Sequence, residues 1–313
     1  MKKILIASSA YNEGDNIENF VREIKFNYDE LKKKFEFPLD LEVIIANNNS
    51  EDNTLEKLVS LKKEFSFLRV FNNSSNYGPD ISTLNILRKN CGDFNLILSS
   101  DLEDPPKLGF EMLNDLIRNK KLDACIAYKS DKKFLLFKIL RRIYYILTSF
   151  STRTDLISGC HGFGAYRSIA IQRAIVYATR VYPDSGKSLL WSIRNYKKFS
   201  YKKRSRTKGT SSYSLSGYLK EGINKLLYSP SLSSRISIRV AFFVIVLLIL
   251  LMTFYFVNYF TKFFLFPGGV TTILLMILFT STLNYFLFAL NAKQIETIVL
   301  PNALEMASSE EIK

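Results

Sequence analysis

Along the first 130 residues, short apolar runs that end in polar clusters alternate with stretches whose apolar positions recur at helical spacing. The runs predict strands at Lys3–Ser8, Leu41–Ala46, Leu68–Phe71 and Asn95–Ser99. The stretches between them predict helices over Asp15–Phe35, Thr54–Phe65 and Ile81–Asn90. Strands that alternate with helices imply an α/β domain built on a mostly parallel sheet covered on both faces. Ligands of such sheets sit outside the carboxyl ends of the strands. Three polar clusters fall there: Tyr11-Asn12-Glu13, Asn47 to Asp52, and Ser99 to Asp104. Together they describe one crevice. The chain has no GxGxxG and no Walker lysine motif, so dinucleotide and P-loop binding are set aside.

Further on, the pattern becomes continuously apolar. Val240 to Phe260 and Val270 to Leu290 are two uncharged runs separated by Thr261-Lys262 and a Pro267-Gly268-Gly269 turn. Each has about the 20 residues needed to cross a bilayer core, which predicts a transmembrane hairpin over 235–292 with spans near 240–260 and 270–290. Arg235, Arg239 and Lys293 flank the hairpin, while Lys262 alone lies in the connecting loop. The positive-inside bias places residues 1–234, the tail 293–313 and both termini in the cytoplasm, on a multi-pass protein of the cell (inner) membrane. The brief apolar start, interrupted by Tyr11-Asn12-Glu13-Gly14-Asp15, argues against a signal peptide.

Composition sharpens this picture in three places. Of the 313 residues, 43 are Lys or Arg against 29 Asp or Glu, a formal charge of +14. No acidic residue occurs between Asp184 and Glu221, although seven basic ones crowd Lys197 to Lys208, within a stretch (197–213) read as a phosphate-binding loop. Residues 134–150, FLLFKILRRIYYILTSF, cluster Lys138, Arg141 and Arg142 on an apolar helix of the kind that lies in a membrane interface, with a core helix as the alternative. Anionic lipid or a phosphorylated ligand suits this charge better than nucleic acid. The three cysteines are far apart with no CxxC pair, so neither a zinc site nor a disulfide framework is suggested, and the single histidine excludes a His-rich metal site and a paired-histidine mechanism.

The sharpest local signal is Asp101-Leu102-Glu103-Asp104-Pro105-Pro106 after an apolar strand. Carboxylates leaving a strand end can hold a hard divalent cation, Mg²⁺ or Mn²⁺, that neutralises a diphosphate. Asp104 and Pro105 are read more simply as the N-cap and first residue of the next helix.

Taken in order, these segments resemble a family-2 glycosyltransferase of the GT-A fold, and more closely the bacterial polyprenyl-phosphate glycosyltransferases related to dolichyl-phosphate mannose synthase. The resemblance is carried by Ala10 to Glu13, Asn48 to Thr54, Asn76-Tyr77-Gly78 and Gly92-Asp93. It continues through Asp101 to Pro106, Gly162 to Tyr166 and the basic run Arg204 to Tyr213. It implies nucleotide-sugar binding by Ala10, Tyr11, Glu13, Asn47, Asn48, Asp80 and Ser100. It further implies a metal held by Ser99, Asp101 and Glu103, with Asp101 and Glu103 as the catalytic pair. Arg141, Arg204, Arg206, Lys208 and Ser212 would meet the phosphates and the acceptor. The implied partners are a nucleotide-sugar, with a UDP-sugar favoured, polyprenyl (undecaprenyl) phosphate and membrane lipid; self-association into a homo-oligomer is open.

Three departures stand out. Asn47 replaces the usual Asp, which alters the code that reads the base. Ser99 replaces the first Asp of DxD, while Glu103 replaces a common Gln and restores the lost charge. His161 precedes Gly162-Phe163-Gly164 where Thr is frequent. The implied reaction is an inverting transfer for cell-envelope glycan assembly, such as lipopolysaccharide or cell-wall glycan. A phosphate monoester is already anionic near neutral pH, since its second pKa is about 6, so such a transfer needs no strong base. Two other readings remain. One is a membrane-anchored transferase acting on a lipid-linked glycan hydroxyl, with Asp155 or His161 as base. The other is a non-catalytic, degenerate transferase.

Overall fold

The computed structural model describes residues 1–129, 160–178, 184–204, 230–261, 269–299 and 309–312. Its described residues divide into two units, a sheet-based one and a helical one.

The first unit is an eight-stranded sheet. Its strands are β1 (Lys2–Ala10), β2 (Leu39–Asn47), β3 (Leu68–Asn73), β4 (Phe94–Ile97), β5 (Ala124–Lys129), β6 (Gly164–Arg167), β7 (Tyr196–Tyr201) and β8 (Ser309–Glu311). Their order is β7-β5-β6-β4-β1-β2-β3-β8. β4, β1, β2 and β3 are mutually parallel, as is the β5–β7 pair, whereas β6 and β8 run antiparallel to their neighbours. The expected α/β architecture with a mostly parallel sheet is therefore present.

The helices between the strands are α1 (Ile17–Lys32), α2 (Thr54–Glu64), α3 (Gly78–Lys89), α4 (Pro106–Arg118), α5 (Ser168–Ala178) and α6 (Ser185–Ser192). Alternation along β1 sends Ile4 and Ile6 to one face of the sheet and Leu5 and Ala7 to the other. On the first face they join Phe20 and Ile24 of α1, Leu58 of α2, and Phe110 and Leu113 of α4. On the second they join Ile86 of α3, Ile171 of α5 and Leu189 of α6. Both faces of the central strands are thus dry, which is why those strands read as continuous apolar runs rather than alternating ones.

The strands run further toward the crevice than their apolar cores suggest. Backbone pairing carries β1 to Ala10 opposite Asn47, and β3 to Asn72 opposite the same Asn47. The first polar residues at the crevice are thereby held in the sheet's own register. One local expectation is corrected. The residue before α4 is Pro105 and its first residue is Pro106, so Asp104 lies one position too early to cap the helix. It accepts a hydrogen bond from Tyr201 instead.

β8 comes from the last residues of the chain, a segment the sequence reading leaves as a tail. It pairs with β3 through Phe71↔Glu311, Asn72↔Glu310 and Asn73↔Ser309. Arg69 grips Glu311 at 2.7 Å through both Nε and Nη2, and Lys62 donates to the Ile312 carbonyl. A β3 edge that would otherwise present bare backbone is closed in this way.

The second unit consists of α7 (Pro230–Thr261) and α8 (Val270–Val299), which pack against each other. Within α7, Phe242–Thr261 is long and apolar enough to cross a membrane; in α8 the apolar stretch found among the described residues, Ile273–Phe288, is shorter. Large apolar side chains such as Phe243, Leu250, Phe256, Met276 and Phe279 stand exposed on these helices.

Candidate active site

The crevice is built by loops that follow β1, β2, β3 and β4. Backbone strain is concentrated in it. The three non-glycine residues with positive φ among the described residues are Asn12 (54°), Asn49 (57°) and Leu102 (58°), one after each of β1, β2 and β4. Asparagine tolerates the left-handed region because its short amide bonds locally; leucine does not. Leu102 is held there because its side chain is buried in the core, and the turn that results projects Asp101 and Glu103 from the strand end.

On the β1–β2 side the loops are cross-tied. Asn12 N donates to Ser50 Oγ (3.1 Å), Glu51 N to Asn12 Oδ1 (2.9 Å) and Glu13 N to Thr54 Oγ1 (2.8 Å). Gly14 N donates to Asp52 Oδ2 at 2.9 Å, and a Cβ at this glycine would fall 2.0 Å from Asn53 Oδ1, so the Asn53 side chain would have to turn away to admit one. Burial works against the Asp52 charge, yet hydrogen bonds from Thr54 and Gly14 hold its carboxyl below the ordinary range.

Asn47 and Asn48 are buried, and both are engaged. Asn47 Nδ2 donates to Asn72 Oδ1 (2.7 Å), while its Oδ1 accepts from Ser50 Oγ (2.6 Å). Asn48 Oδ1 accepts from Asn73 Nδ2 (2.7 Å) and from Ser82 Oγ (2.6 Å), and Asn73 also donates to Ser82 Oγ at 2.9 Å. Asn72, Asn73 and Ser82 are missing from the expected site. The signal for the first two was visible in the Asn72-Asn73-Ser74-Ser75-Asn76 run after a strand, a fourth polar cluster at a fourth strand end.

The β4 side is charged. Ser100 Oγ donates to the Ser9 carbonyl at 2.8 Å, which brings the Ser99–Glu103 segment against the end of β1. Asp101 is buried, and its Oδ1 accepts from Glu103 N (3.1 Å). Glu103 forms an ion pair with Lys203, a residue the sequence reading placed in a basic loop without assigning it a role. Two further bonds join the same segments: Arg204 N to the Glu103 carbonyl (3.0 Å) and Tyr201 Oη to Asp104 Oδ1 (2.5 Å). Burial pushes the Asp104 carboxyl up, with the Tyr201 hydroxyl pulling the other way; burial and then the Asp104 charge push the Tyr201 phenol up. Phe163, beside the positive-φ Gly162, packs edge-on against the Tyr201 ring with centroids 5.4 Å apart.

The remaining expected residues fall as follows. Ala10 is buried, and Tyr11 and Glu13 lie at the rim of the β1 loop, with Asn16 Nδ2 donating to Glu13 Oε2 (2.7 Å). Asp80 opens α3 and accepts from Ser185 Oγ at 2.5 Å. Arg204 sends its guanidinium to Glu23 (3.1 Å). His161 is exposed. Arg141, Asp155, Arg206, Lys208, Ser212 and the segment 134–150 lie outside the described residues. Among the described residues no three His, Cys, Asp or Glu side chains gather into a group able to hold a metal ion. Burial raises the thiols of Cys125 and Cys160 to about 12 and about 11, which keeps them protonated and removes thiolate chemistry from consideration.

Comparisons with known proteins bear on this geometry. An uncharacterized glycosyltransferase of Synechocystis sp. (strain ATCC 27184 / PCC 6803 / Kazusa), sll0501, is 27% identical over 112 residues, which is 36% of this chain and 33% of that protein. The chain thus matches a third of the length of this curated relative. Among solved structures, TarS 1–349 of S. aureus in complex with UDP-GlcNAc superposes with a TM-score of 0.43 at 17% identity, covering 74% of this chain and 66% of that one. Glucosyl-3-phosphoglycerate synthase of Mycobacterium tuberculosis, in complex with Mn²⁺, UDP and glucosyl-3-phosphoglycerate, gives 0.48 at 16% identity over 75% and 80%. The model of the family described as glycosyl transferase family 2 matches residues 6–175, more than half of the chain and the loops after β1 to β4 that form the crevice. By that match, the chain belongs to glycosyl transferase family 2.

Proposed function

We propose that the protein transfers a sugar, with inversion, from a nucleotide-sugar, favoured as a UDP-sugar, to the phosphate of a polyprenyl phosphate at the cytoplasmic face of a membrane. Family membership supports glycosyl transfer. The observation that carries the finer reading is the meeting of the Asp101–Asp104 loop with the root of the basic run at Tyr201–Arg204, in a chain that also contains the apolar Phe242–Thr261 helix. Such a pairing of acid loop and basic run suits a reaction between two phosphate-bearing substrates.

The β1–β2 loops offer amide, hydroxyl and backbone groups along one side, where the nucleoside would lie. Asp101 and Glu103 leave the same turn after β4, and together with the Ser99 hydroxyl they would supply hard oxygen donors of the kind a Mg²⁺- or Mn²⁺-sized cation takes. When bound, the cation supplies Lewis-acid neutralisation of the departing diphosphate. Everything else falls to the chain itself. The loops orient the donor, and the Lys/Arg run offsets the repulsion between donor and acceptor phosphates. An acceptor phosphate oxygen forms the new bond to the anomeric carbon. The bond from that carbon to the diphosphate breaks on the opposite side, and the nucleoside diphosphate leaves with the electron pair. No proton has to be removed from the acceptor. The α7 and α8 hairpin, taken as two spans, would tether the site beside a substrate whose tail stays in the bilayer, with Arg235, Arg239 and Lys293 on the cytoplasmic side.

The test is a radiolabel-transfer assay on the detergent-purified chain with undecaprenyl phosphate, Mn²⁺ or Mg²⁺, and a panel of UDP- and GDP-sugars. Label should enter the lipid phase from one donor and disappear with EDTA or with Asp101→Ala. Donor binding without transfer to lipid would shift the reading to another acceptor.

A further inference from the structure

The Lys203–Glu103 ion pair engages one of the two carboxylates that, on the reading above, would hold the cation. Glu103 is the more enclosed partner, its side chain 13% exposed against 34% for Lys203. It lies two residues from buried Asp101, whose Oδ1 is tied to the Glu103 amide. Two carboxylates this close in sequence on one strained turn repel each other, and a lysine ammonium is the simplest charge to relieve that repulsion. The same ammonium opposes a second cation. A metal ion entering alone would meet Lys203 at short range and would have to displace it from Glu103.

The geometry around the pair separates what is fixed from what can move. Arg204 N on the Glu103 carbonyl and Tyr201 Oη on Asp104 bracket Lys203 on either side, so the backbone that carries it is pinned to the acid loop. The lysine terminus ends a flexible four-carbon stem with three rotatable donors. Lysine is suited to changing partners, whereas a planar, forked guanidinium would favour one fixed carboxylate.

We propose that Lys203 is an exchangeable counter-ion: it neutralises Glu103 before the donor arrives and passes to the donor diphosphate when a divalent cation takes its place at Asp101 and Glu103. This rests on the nucleotide-sugar reading given above. The charges support it, because a dication and the doubly charged diphosphate of a nucleotide-sugar arrive as a nearly neutral pair. The local balance is therefore the same before and after, and the lysine is needed in both states by different anions. The exchange makes cation and donor bind together. Either one alone meets an unfavourable arrangement, the cation through Lys203 and the diphosphate through Glu103. Binding coupled in this way is reciprocal by thermodynamic necessity.

The experiment measures Mn²⁺ binding by electron paramagnetic resonance and UDP binding by calorimetry on the full chain in detergent. In the unaltered protein Mn²⁺ should bind weakly alone and at least tenfold more tightly with UDP. Lys203→Met should reverse the two halves of this behaviour. Mn²⁺ alone should bind about tenfold more tightly, and UDP in the presence of Mn²⁺ about tenfold more weakly, each equivalent to ~1.4 kcal/mol. A tighter Mn²⁺ site is a gain that loss of structure cannot produce. Glu103→Gln supplies an independent arm: with Lys203 released, UDP should bind several-fold more tightly in the absence of metal. Lys203→Arg, with a forked guanidinium that favours staying on Glu103, should keep lone Mn²⁺ binding weak and lose most of the gain that UDP brings. Unchanged Mn²⁺ affinity in Lys203→Met, with metal-dependent UDP binding intact, would overturn the exchange and leave the donor site standing. Failure of the unaltered protein to bind UDP under any metal condition would remove the donor reading, and the exchange with it.

Discussion

Two sides of the same crevice solve the problem of burying polar groups in opposite ways. After β2 and β3, Asn47, Asn48, Asn72, Asn73 and Ser82 satisfy one another through neutral amides and a hydroxyl. After β4 and β7, Asp101, Glu103, Asp104, Tyr201, Lys203 and Arg204 are joined through one ion pair, one phenol and two backbone amides. An amide network of this kind is costly to open, because each group left without a partner loses its full desolvation. Its value is a fixed shape. A partly exposed ion pair is cheap to exchange, since water and a new counter-ion can replace either member. On the proposed function, recognition would fall to the rigid amide side and the movement of charge to the other.

The sharpest way to break this division is Asp101→Ala. Transfer of labelled sugar should fall by about 10²–10³, the scale seen when one preorganised electrostatic group is lost. The thermal midpoint of the sheet unit should fall only by the loss of the bond from Glu103 N to Asp101, about 1 kcal/mol. A variant that kept its activity would place the charged chemistry elsewhere.

Asn48→Leu attacks the other side. It leaves Asn73 Nδ2 with one acceptor fewer and Ser82 Oγ without its amide acceptor, for a cost of about 1–3 kcal/mol. Thermal unfolding should show that loss, and the KM for the donor should rise more than kcat falls. An unaltered melting curve would mean that the amides are not the rigid side.

Asp104 sharpens the comparison through pH. Its carboxyl is raised above the ordinary aspartate value, chiefly by burial. The folded state therefore holds the proton more tightly than the unfolded chain. Its contribution to stability is fully present below the unfolded value and is lost as pH rises through the raised folded value. Asp104→Asn keeps an acceptor for Tyr201 and removes the titration. Its thermal midpoint should gain on the parent protein as pH climbs from 4 to 7, and the two curves should converge at low pH. Parallel curves would show that the carboxyl is not desolvated.

The smallest effect is expected far from the crevice, at the β8 clasp. Arg69→Ala removes partners of Glu311 and Glu42, which lie on part-exposed surface, and should cost about 0.5–1 kcal/mol. The Arg69 hydrogen bond lowers the Glu311 carboxyl, so its stabilisation is present above the unfolded value and is lost as pH falls through the folded one. Faster amide exchange at Ile312, which donates to the Val70 carbonyl, should report the loosened strand with no change in transfer rate.

Much of this crevice was readable before any coordinates. Apolar runs followed by Tyr11-Asn12-Glu13, Asn47 to Asp52 and Ser99 to Asp104 announce strands ending in a ligand-binding rim, and the structure brings these loops together. A strand buried on both faces leaves that mark whatever its neighbours are. Asp104 shows the limit of such local reading. A carboxylate before two prolines looks like a helix cap, yet the second proline is the one that begins α4, and Tyr201, 97 positions away, takes the carboxylate. Lys203 was one cation among many in a basic run. Nothing in its spacing distinguishes it from Lys202, because the choice is made by how β7 sits in the sheet.

The sequence by itself determined the period-two and helical repeats, the position of the polar rim along each strand, and the uncharged length of Phe242–Thr261. All of these depend on neighbours within a turn or a strand. Only the tertiary structure decided that Asn47 pairs with Asn72, that Lys203 holds Glu103, and that Lys62 meets Ile312 across 250 positions of chain. Partner choice at such distances follows the order of strands in the sheet. That order is set by the summed burial of two apolar faces, to which no single residue contributes enough to reveal it.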